Sequence, residues 1–295
     1  MIAGLHIEAT NLCTLKCPGC ARTQFIKQWP NQWKNYSLDI DQTMSFLDLD
    51  LTGKKIAFCG DYGDPIYHPN FIEFVRQFKK RGAYIVIDTN GSYKTKSWWE
   101  ELVSCLDNSD TIQFSIDGLP ENFTQYRINA DWESIKQGID VVSNSTVRSV
   151  WKFIPFLYNQ DDIEKAQQLA TELNITEFEI SLSDRFDDST EYLKPKEQLL
   201  SNRYLPQTAW KTVKENAVNP QCQNGKHHYI SAAGYYSPCC FLADHRFYYK
   251  TIFGKHKKEY DIRNNSLTEI LNKPSVLEFY KTLDIQPGCQ YNCPG

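Results

Sequence analysis

Three cysteines in one short loop constrain this chain more than any other feature of its sequence. Cys13, Cys17 and Cys20 have the spacing C-x3-C-x2-C and directly follow a strand-like run at residues 5–9. Three thiols this close cannot all pair as disulfides, whereas thiolates are the soft ligands that iron–sulfur clusters require. Three thiolates would hold three irons of a 4Fe–4S cluster and leave the fourth iron open to a ligand that is not protein. The alternative is a structural zinc knuckle, but that site needs a fourth ligand nearby, and the next Cys or His is Cys59.

The length and composition indicate a globular protein of one large domain or two ordinary ones. Of its 295 residues, 41% are hydrophobic and 23% are charged, and a net charge of −4 gives no reason to expect a nucleic-acid partner. The chain opens on a strand pattern without a signal peptide, and it has no run of about 18 apolar residues that could span a membrane. Ten cysteines in such a chain favour metal or redox chemistry over disulfides. We therefore expect a cytoplasmic protein.

Strand-like and helix-like patterns alternate through the first two thirds of the chain. Short segments rich in β-branched or aromatic residues predict six strands, at residues 5–10, 55–59, 84–89, 111–117, 147–155 and 178–183. Helical periodicity falls between them, at residues 39–48, 70–81, 96–106, 132–144 and 161–174. Such alternation predicts an α/β fold whose parallel strands are joined by right-handed crossovers. Six units are too few for a closed eight-stranded barrel, so we predict a partial (β/α)6, TIM-like barrel.

The cysteine spacing after a first strand resembles the signature of the radical S-adenosylmethionine (radical SAM) enzymes. In that family the open iron binds SAM, and the reduced cluster cleaves SAM to methionine and a 5′-deoxyadenosyl radical. One position departs from the signature, because Gly19 stands where an aromatic residue often packs near the adenine. The resemblance implies SAM as a cofactor and the partial barrel as the shared core.

Polar or glycine-containing motifs also follow the second, third and fourth predicted strands, where the loops of such barrels line the active site. The second strand leads to Gly63-Asp64-Pro65, which resembles the end of the family's G-G-E-P motif with Asp in place of Glu. The resemblance implies that Asp64 helps to bind the SAM amino group. It also assigns to SAM binding Asn90 of a T-N-G motif, Ser115 and Asp117 of an S-x-D-G motif, and Arg127, which would meet the SAM carboxylate.

Four further cysteines towards the end of the chain form a second candidate metal site. Cys222 and Cys239 bracket a predicted hairpin that contains Gly234, and Cys289 and Cys293 lie near the last residue. Four thiolates fit either a closed zinc site or a fully ligated iron–sulfur cluster, and the spacing alone does not decide between the two.

Residues 222–295 resemble the C-terminal extension called SPASM, or its shorter form, twitch, which begins C-x(9–15)-G-x4-C. A full SPASM domain has seven cysteines and two auxiliary clusters, whereas this segment has five cysteines, so the twitch form is the better match. The resemblance implies that Cys222, Cys239, Cys289 and Cys293 hold one auxiliary 4Fe–4S cluster, which makes two clusters in all. Of the remaining cysteines, we interpret Cys105 as a core residue and keep Cys59 and Cys240 as the candidates for catalysis.

These resemblances predict a radical SAM partial barrel at residues 1–184, a helical linker at 185–220 and a twitch-like domain at 221–295. They imply an oxidoreductase or isomerase that abstracts a hydrogen atom from its substrate. The step that follows would be oxidation, epimerisation, bond formation or rearrangement, with the auxiliary cluster as an electron acceptor or an anchor.

Several substrate classes stay open at this point, namely a small molecule, a peptide or a nucleotide. Modification of a nucleobase is one alternative, because some of the 17 tyrosines and 7 tryptophans could stack on bases. A non-enzymatic iron–sulfur or zinc protein with a degenerate radical SAM fold is another. The expected partner is an electron donor such as flavodoxin or ferredoxin, and we expect a monomer with no membrane contact.

Overall fold

The computed structural model describes residues 2–183, 186, 190–196, 218–220, 222, 225 and 228–293. The strands are Gly4–Ile7 (β1), Lys55–Phe58 (β2), Tyr84–Thr89 (β3), Thr111–Ser115 (β4), Arg148–Phe153 (β5), Glu177–Ile180 (β6), His228–Ile230 (β7) and Tyr236–Ser237 (β8). The longer helices are Ala21–Gln28 (α1), Ile40–Phe46 (α2), Phe71–Lys80 (α3), Lys96–Val103 (α4), Trp132–Ser143 (α5) and Ile163–Glu172 (α6).

Shorter helices follow β8, and short 3-10 turns occur along the chain. The helices are Cys240–Ala243 (α7), His245–Tyr248 (α8), Ile252–Lys255 (α9), Leu267–Leu271 (α10), Pro274–Tyr280 (α11) and Pro287–Asn292 (α12). The 3-10 turns are Pro30–Gln32, Pro65–Tyr67, Phe123–Gln125, Glu191–Leu193, Lys257–Tyr260 and Leu283–Ile285. Most of the predicted linker at 185–220 lies outside the described residues. No helix among those described is both long enough and apolar enough to cross a bilayer.

Each strand and helix predicted between residues 5 and 183 is present, and the differences are at the ends. β3 has the predicted bounds, whereas β6 begins one residue earlier and ends three residues before the predicted end. The helices end sooner than predicted, because the pattern of apolar residues continues into the turns that cap them. Helix α1 was not predicted, since it has one buried residue, Ala21, and therefore no apolar stripe.

The chain forms two compact units. The first unit contains Met1–Leu12, Asn35–Ile85 and Lys211–Gly295, and the second contains Cys13–Lys34 and Val86–Trp210. The first two residues of β3 belong to the first unit and the rest of β3 to the second. Each unit is thus built from segments that are distant in sequence.

The sheet of the first unit has the strand order β2-β1-β7-β8. His6 of β1 lies opposite Ala57 of β2 and opposite Tyr229 of β7, and both pairings are parallel. β7 and β8 form the antiparallel hairpin that the sequence predicted. The parallel addition of β7 to β1 was not predicted. It brings the hairpin beside the first strand of the chain.

Strand β1 carries different side chains on its two faces. Leu5 and Ile7 are completely buried, and on β2 the ring of Phe58 packs against three phenylalanines of α3, with centroid distances of 5.0, 5.5 and 5.6 Å. His6 and Glu8 alternate with these apolar residues and point to the other face. The segment at residues 5–9 is therefore apolar at alternate positions only.

The second unit has the strand order β3-β4-β5-β6, with all pairings parallel. One face of this sheet is aromatic, since Phe114 contacts Trp99 of α4, and Trp151 contacts Trp132 of α5. The other face is polar at the ends of the strands. There Lys152 Nζ lies 3.2 Å from Asp88 Oδ1, and each side chain is 27% exposed. This partly exposed ion pair gives the polar face of the sheet two opposite charges.

Candidate functional site

The three-cysteine loop is part of the second unit, and its backbone is folded tightly. The Leu15 N–H donates to Cys13 Sγ at 3.4 Å, and the Cys20 N–H donates to the Cys17 carbonyl at 3.1 Å. Cys20 is the N-cap residue of α1. The start of the helix therefore fixes the backbone at Cys20, the last cysteine of the loop.

A cluster of apolar side chains forms the wall behind this loop. Cys17 and Leu15 are buried against Tyr126, Phe156 and Leu193, and the other two cysteines of the motif pack against the same cluster. The Tyr126 and Phe156 rings are stacked with centroids 4.1 Å apart. Burial raises the pKa of the Cys17 thiol to about 12, although Arg127 opposes the shift. A metal must therefore displace a tightly held proton to bind this thiol.

Arg127 lies between the cysteine loop and a buried carboxylate. Its Nε donates to Asp117 Oδ2 at 2.6 Å, and its guanidinium also hydrogen-bonds the Cys17 thiol. Asp117 Oδ1 accepts a second bond from the Ile154 N–H at 2.9 Å. Burial works to lower the pKa of Arg127, but Asp117 and Cys17 raise it well above its ordinary value. A permanent positive charge is thus held beside Cys17.

We expect removal of Arg127 to destabilise the protein strongly. In Arg127→Met, the Asp117 carboxylate stays buried without its counter-charge, which typically costs about 3–5 kcal/mol. The double variant Arg127→Met, Asp117→Asn should recover a large part of that loss, because no buried charge remains. Urea unfolding of the cluster-free protein measures the free energy of unfolding in each case.

A surface ion pair supplies the matched control for this cycle. Lys136 Nζ lies 2.7 Å from Asp140 Oδ2, with side chains 42% and 47% exposed, and such pairs contribute about 0–1 kcal/mol. Lys136→Met should therefore change stability little. Equal losses in Arg127→Met and Lys136→Met would show that Arg127 and Asp117 do not form a stabilising buried pair.

Asn90 also reaches the cysteine loop. Its Nδ2 lies 3.7 Å from Cys13 Sγ, and its Oδ1 accepts from the Ser92 N–H at 2.9 Å. The left-handed backbone at Gly91 (φ 74°) makes the turn after β3 that aims this side chain. Ser115 is the last residue of β4, two residues before Asp117. Within the second unit, the structure therefore brings together Cys13, Cys17, Cys20, Asn90, Asp117 and Arg127.

The Gly63-Asp64-Pro65 segment is part of the first unit and is held against residues 10–12. A Cβ on Gly63 would lie 1.9 Å from the Thr10 carbonyl oxygen, so only glycine fits there. The Asp64 N–H donates to the Leu12 carbonyl at 3.0 Å. Asp64 Oδ1 accepts from the Ile66 N–H at 3.2 Å and so caps the 3-10 turn that begins at Pro65. The motif is thus fixed to the residues that lead into Cys13 along the chain.

Glu8 is a buried residue of this region that sequence reasoning missed. Its Oε1 accepts from the N–H groups of Tyr62 (2.8 Å) and Gly63 (3.3 Å). Its Oε2 accepts from the Tyr229 hydroxyl (3.0 Å) and the Ala232 N–H (3.2 Å). Burial raises the pKa of Glu8, and all four hydrogen bonds oppose the shift. The signal in the sequence was a charged residue two positions after His6, in alternation with the apolar residues of the segment at 5–9.

The four C-terminal cysteines are all buried and belong to the first unit. Cys289 and Cys293 are one helical turn apart, with the Cys293 N–H donating to the Cys289 carbonyl at 2.9 Å. The pKa of Cys289 is raised to about 12, first by burial and then by the nearby thiols of Cys222, Cys239 and Cys293. The structure therefore brings together the four cysteines of the second candidate site.

Cys239 and the two remaining cysteine candidates lie in the same unit. The pKa of Cys239 is lowered, chiefly because Cys240 donates a hydrogen bond to it, and burial opposes that shift. The same bond raises the pKa of Cys240 far above its ordinary value. Cys59 Sγ lies 3.5 Å from His6 Nδ1. Sequence reasoning missed His6 of β1, as it missed Glu8 directly after this strand.

The chemistry of both cysteine sets fits iron–sulfur clusters. The first set offers three thiols, with an apolar wall and a guanidinium beside them, and the second set offers four buried thiols. Among the described residues, no three Cys, His, Asp or Glu side chains stand close enough to hold one metal ion. Each cysteine of a cluster binds a separate iron, so cluster ligands are spaced more widely than those of a single ion.

Two family models match the sequence. Residues 7–170 match the radical SAM superfamily, and residues 222–294 match SPASM, an iron–sulfur cluster-binding domain. A curated relative from Pyrococcus furiosus, the tungsten-containing aldehyde ferredoxin oxidoreductase cofactor-modifying protein, is 32% identical over 120 residues. Those residues are 39% of this chain and 31% of the relative. The chain thus matches about a third of that relative's length.

Solved structures share the fold at low sequence identity. Native anSMEcpe with bound AdoMet superposes with a TM-score of 0.64 at 14% identity, over 98% of this chain and 89% of that one. Streptococcus suis SuiB bound to the precursor peptide SuiA gives 0.67 at 13% identity, over 96% and 67%. These likenesses confirm the partial barrel, and the SPASM match confirms the C-terminal iron–sulfur domain. Since the first family model covers more than half of the 295 residues, the chain belongs to the radical SAM superfamily of enzymes, whose cofactors are SAM and 4Fe–4S clusters.

Proposed function

We propose that this enzyme holds its SAM-binding cluster on Cys13, Cys17 and Cys20 and removes a hydrogen atom from a C–H bond of its substrate. The observation that carries the proposal is the convergence of the three thiols on one buried wall, with Arg127 hydrogen-bonded to Cys17. When bound, the cluster and SAM supply a 5′-deoxyadenosyl radical. The protein supplies the binding, the orientation and the exclusion of water.

The chain offers partners for the two charged groups, carboxylate and ammonium, on the α-carbon of the methionine part of SAM. Arg127 carries a permanent charge that suits the SAM carboxylate, and Asp117 fixes the direction of its guanidinium. Asp64 suits the SAM amino group, and its backbone is fixed by Leu12 and its side chain by the Ile66 N–H. Asn90 and Ser115 end β3 and β4 and extend the proposed SAM-binding set.

We propose that Cys222, Cys239, Cys289 and Cys293 hold one auxiliary 4Fe–4S cluster. Four buried thiols leave no position open, so this cluster would exchange electrons and would not bind SAM. The donated bond from Cys240 stabilises a thiolate at Cys239. A one-electron donor protein such as flavodoxin or ferredoxin would reduce the enzyme.

A peptide is the substrate class that we propose first. Two of the similar structures are described with peptides, SuiB with its precursor peptide SuiA and anSMEcpe with the Cp18Cys peptide. The partly exposed Asp88–Lys152 pair on the polar face of the sheet suits polar groups of a substrate. The name of the curated relative supports a small-molecule cofactor as the second class. Cys59, beside His6, is the candidate thiol if the reaction is an epimerisation.

A direct experiment tests the proposed function. The anaerobically reconstituted protein, reduced with dithionite, should convert SAM to 5′-deoxyadenosine and methionine. Extracts from cells with and without the gene should then be compared by mass spectrometry for peptides that differ in mass. Formation of no 5′-deoxyadenosine by fully loaded protein would contradict the proposal.

We expect Asp64→Asn to weaken SAM binding without unfolding the protein. Asparagine keeps an oxygen that can accept from the Ile66 N–H, but it loses the charge that would pair with the SAM ammonium group. Hydrogen bonds to charged groups are typically worth about 1.5–3 kcal/mol. Calorimetric titration of the loaded enzyme with SAM measures the change.

Asp39 provides the control for this substitution, because its carboxylate also caps a helical turn, accepting from the Gln42 N–H at 2.8 Å. Asp39→Asn should leave SAM affinity unchanged. If Asp64→Asn also binds SAM with the wild-type affinity, another residue holds the amino group.

A further inference from the structure

The Glu8 carboxylate joins two segments that are far apart in sequence. One is the loop from Gly60 to Asp64, which contacts Glu8 through the N–H groups of Tyr62 and Gly63. The other is the β7–β8 hairpin, which contacts it through Tyr229 and Ala232, 221 and 224 residues further along the chain. Each carboxylate oxygen serves one segment.

The surroundings of Glu8 are closed and fully paired. Glu8 is 2% exposed, and the Tyr229 side chain is equally buried. A Cβ on Gly60 would lie 3.0 Å from both Glu8 Cγ and Oε1, so the loop backbone wraps closely around the side chain. Three of the four donors are backbone N–H groups, which cannot turn away or accept a bond. Only an acceptor with two oxygens satisfies all four donors.

Both segments carry cofactor ligands under the proposed function. Gly63 and Tyr62 directly precede Asp64, the proposed partner of the SAM amino group. The hairpin ends at Ser237, two residues before Cys239, a proposed ligand of the auxiliary cluster. A displacement of either segment would therefore displace the other, because both are hydrogen-bonded to the buried Glu8 side chain.

We propose that Glu8 is a positioning residue that couples the SAM-binding loop to the auxiliary-cluster hairpin. It touches neither cofactor and acts by fixing the backbone of both segments. Because coupling of binding energies is reciprocal, SAM binding should also change the environment of the auxiliary cluster. This inference rests on the proposed function in taking Asp64 as a SAM ligand and Cys239 as a cluster ligand.

Two substitutions test the coupling in the loaded enzyme. Glu8→Gln keeps the shape but turns an amide NH2 either towards the hairpin, where the Ala232 N–H loses its acceptor, or towards the loop, where the Tyr62 and Gly63 N–H groups both lose theirs. Tyr229→Phe keeps the carboxylate and removes only the hydroxyl on the hairpin side. The measurements are the SAM dissociation constant by calorimetry and the electron paramagnetic resonance spectrum of the auxiliary cluster, each with and without SAM.

In the wild type we expect SAM to change the spectrum of the auxiliary cluster. Glu8→Gln should raise the SAM dissociation constant about tenfold, as expected for a disturbed hydrogen bond to a charged group, and should abolish the spectral response to SAM. Tyr229→Phe should change both quantities in the same direction but by less. The effect of Tyr229→Phe on SAM is the decisive result, because this side chain belongs to the hairpin.

Asp110→Asn is the control, because Asp110 is also a buried carboxylate and accepts from the Asp107 N–H at 2.8 Å within its own turn. It should lower stability without changing either measurement. The coupling is overturned if Glu8→Gln and Tyr229→Phe lower the melting temperature but leave SAM affinity unchanged. Should Glu8→Gln not fold, Tyr229→Phe alone decides. Wild-type protein that binds no SAM would contradict the proposed function instead.

Discussion

Replacing Cys13, Cys17 and Cys20 together by alanine should abolish SAM cleavage and leave one cluster of two. The wild type should carry about eight irons after anaerobic reconstitution, and the triple variant about four, because each 4Fe–4S cluster holds four. The loss of SAM cleavage should be complete, since the cluster on these three thiols is the one proposed to have an open iron. Iron analysis and chromatography of 5′-deoxyadenosine measure the two effects.

Cys105→Ala provides the control for the loss of a cysteine as such. Cys105 lies just after α4 and is half-buried, not a core residue as the sequence predicted, and its thiol donates to the Glu101 carbonyl at 3.4 Å. Its removal should leave both the iron content and SAM cleavage unchanged. Residual SAM cleavage at the wild-type rate in the triple variant would place the open iron elsewhere. A wild-type preparation with four irons and one zinc would overturn the auxiliary cluster and favour a structural zinc site.

The alternating fold could be predicted because its signals are local. β3 was predicted to the residue, since its apolar residues are bounded by Gly82 before the strand and by an Asn-Gly turn after it. The helices that pack on the sheet repeat apolar residues at the helical period, as α3 does with its three phenylalanines against Phe58. Such patterns depend on a few consecutive residues and need no knowledge of distant contacts.

The cysteine sets could be predicted for a different reason, namely their spacing and residue type. The spacing could not predict the tertiary contacts that fix the cysteine loop in place. Arg127 was assigned to SAM, but its pairing with Asp117 and its hydrogen bond to Cys17 are tertiary contacts. The apolar wall behind Cys17 is assembled from Tyr126 and Phe156, which no motif connects to the cysteines.

The proposed role of Glu8 depends on contacts between residues that are even further apart in sequence than those around Arg127. A single glutamate in a strand of alternating apolar residues has many explanations in sequence, and its four donors come from residues 54 to 224 positions away. The pairing of β7 with β1 that brings two of these donors close was also missed. β7 has only three residues, His228–Ile230, and a strand this short carries no partner information in its own sequence.

The second large effect concerns the division of labour between the two clusters. A Cys289→Ala, Cys293→Ala variant should still form 5′-deoxyadenosine with dithionite but should yield little modified product. Both thiols are proposed ligands of the closed auxiliary cluster. The nearby thiols of Cys222 and Cys239 add to the burial that raises the pKa of Cys289. Without two of its four ligands the auxiliary cluster should no longer bind. The three thiols of the second unit are unchanged, so the SAM-binding cluster should remain.

Folding must be separated from chemistry in this variant, because a bound metal site can contribute strongly to stability. Circular dichroism should first show a native-like spectrum, and Gln290→Ala on the same helix α12 serves as the control with all cysteines intact. A folded double variant that forms product at the wild-type rate would reduce the auxiliary cluster to a structural element and exclude an oxidative role. If the folded variant cannot cleave SAM at all, the assignment of cysteines to clusters is wrong. If the variant cleaves SAM but forms no modified product, the first cysteine set is sufficient for SAM cleavage and the second set is needed for the step that follows.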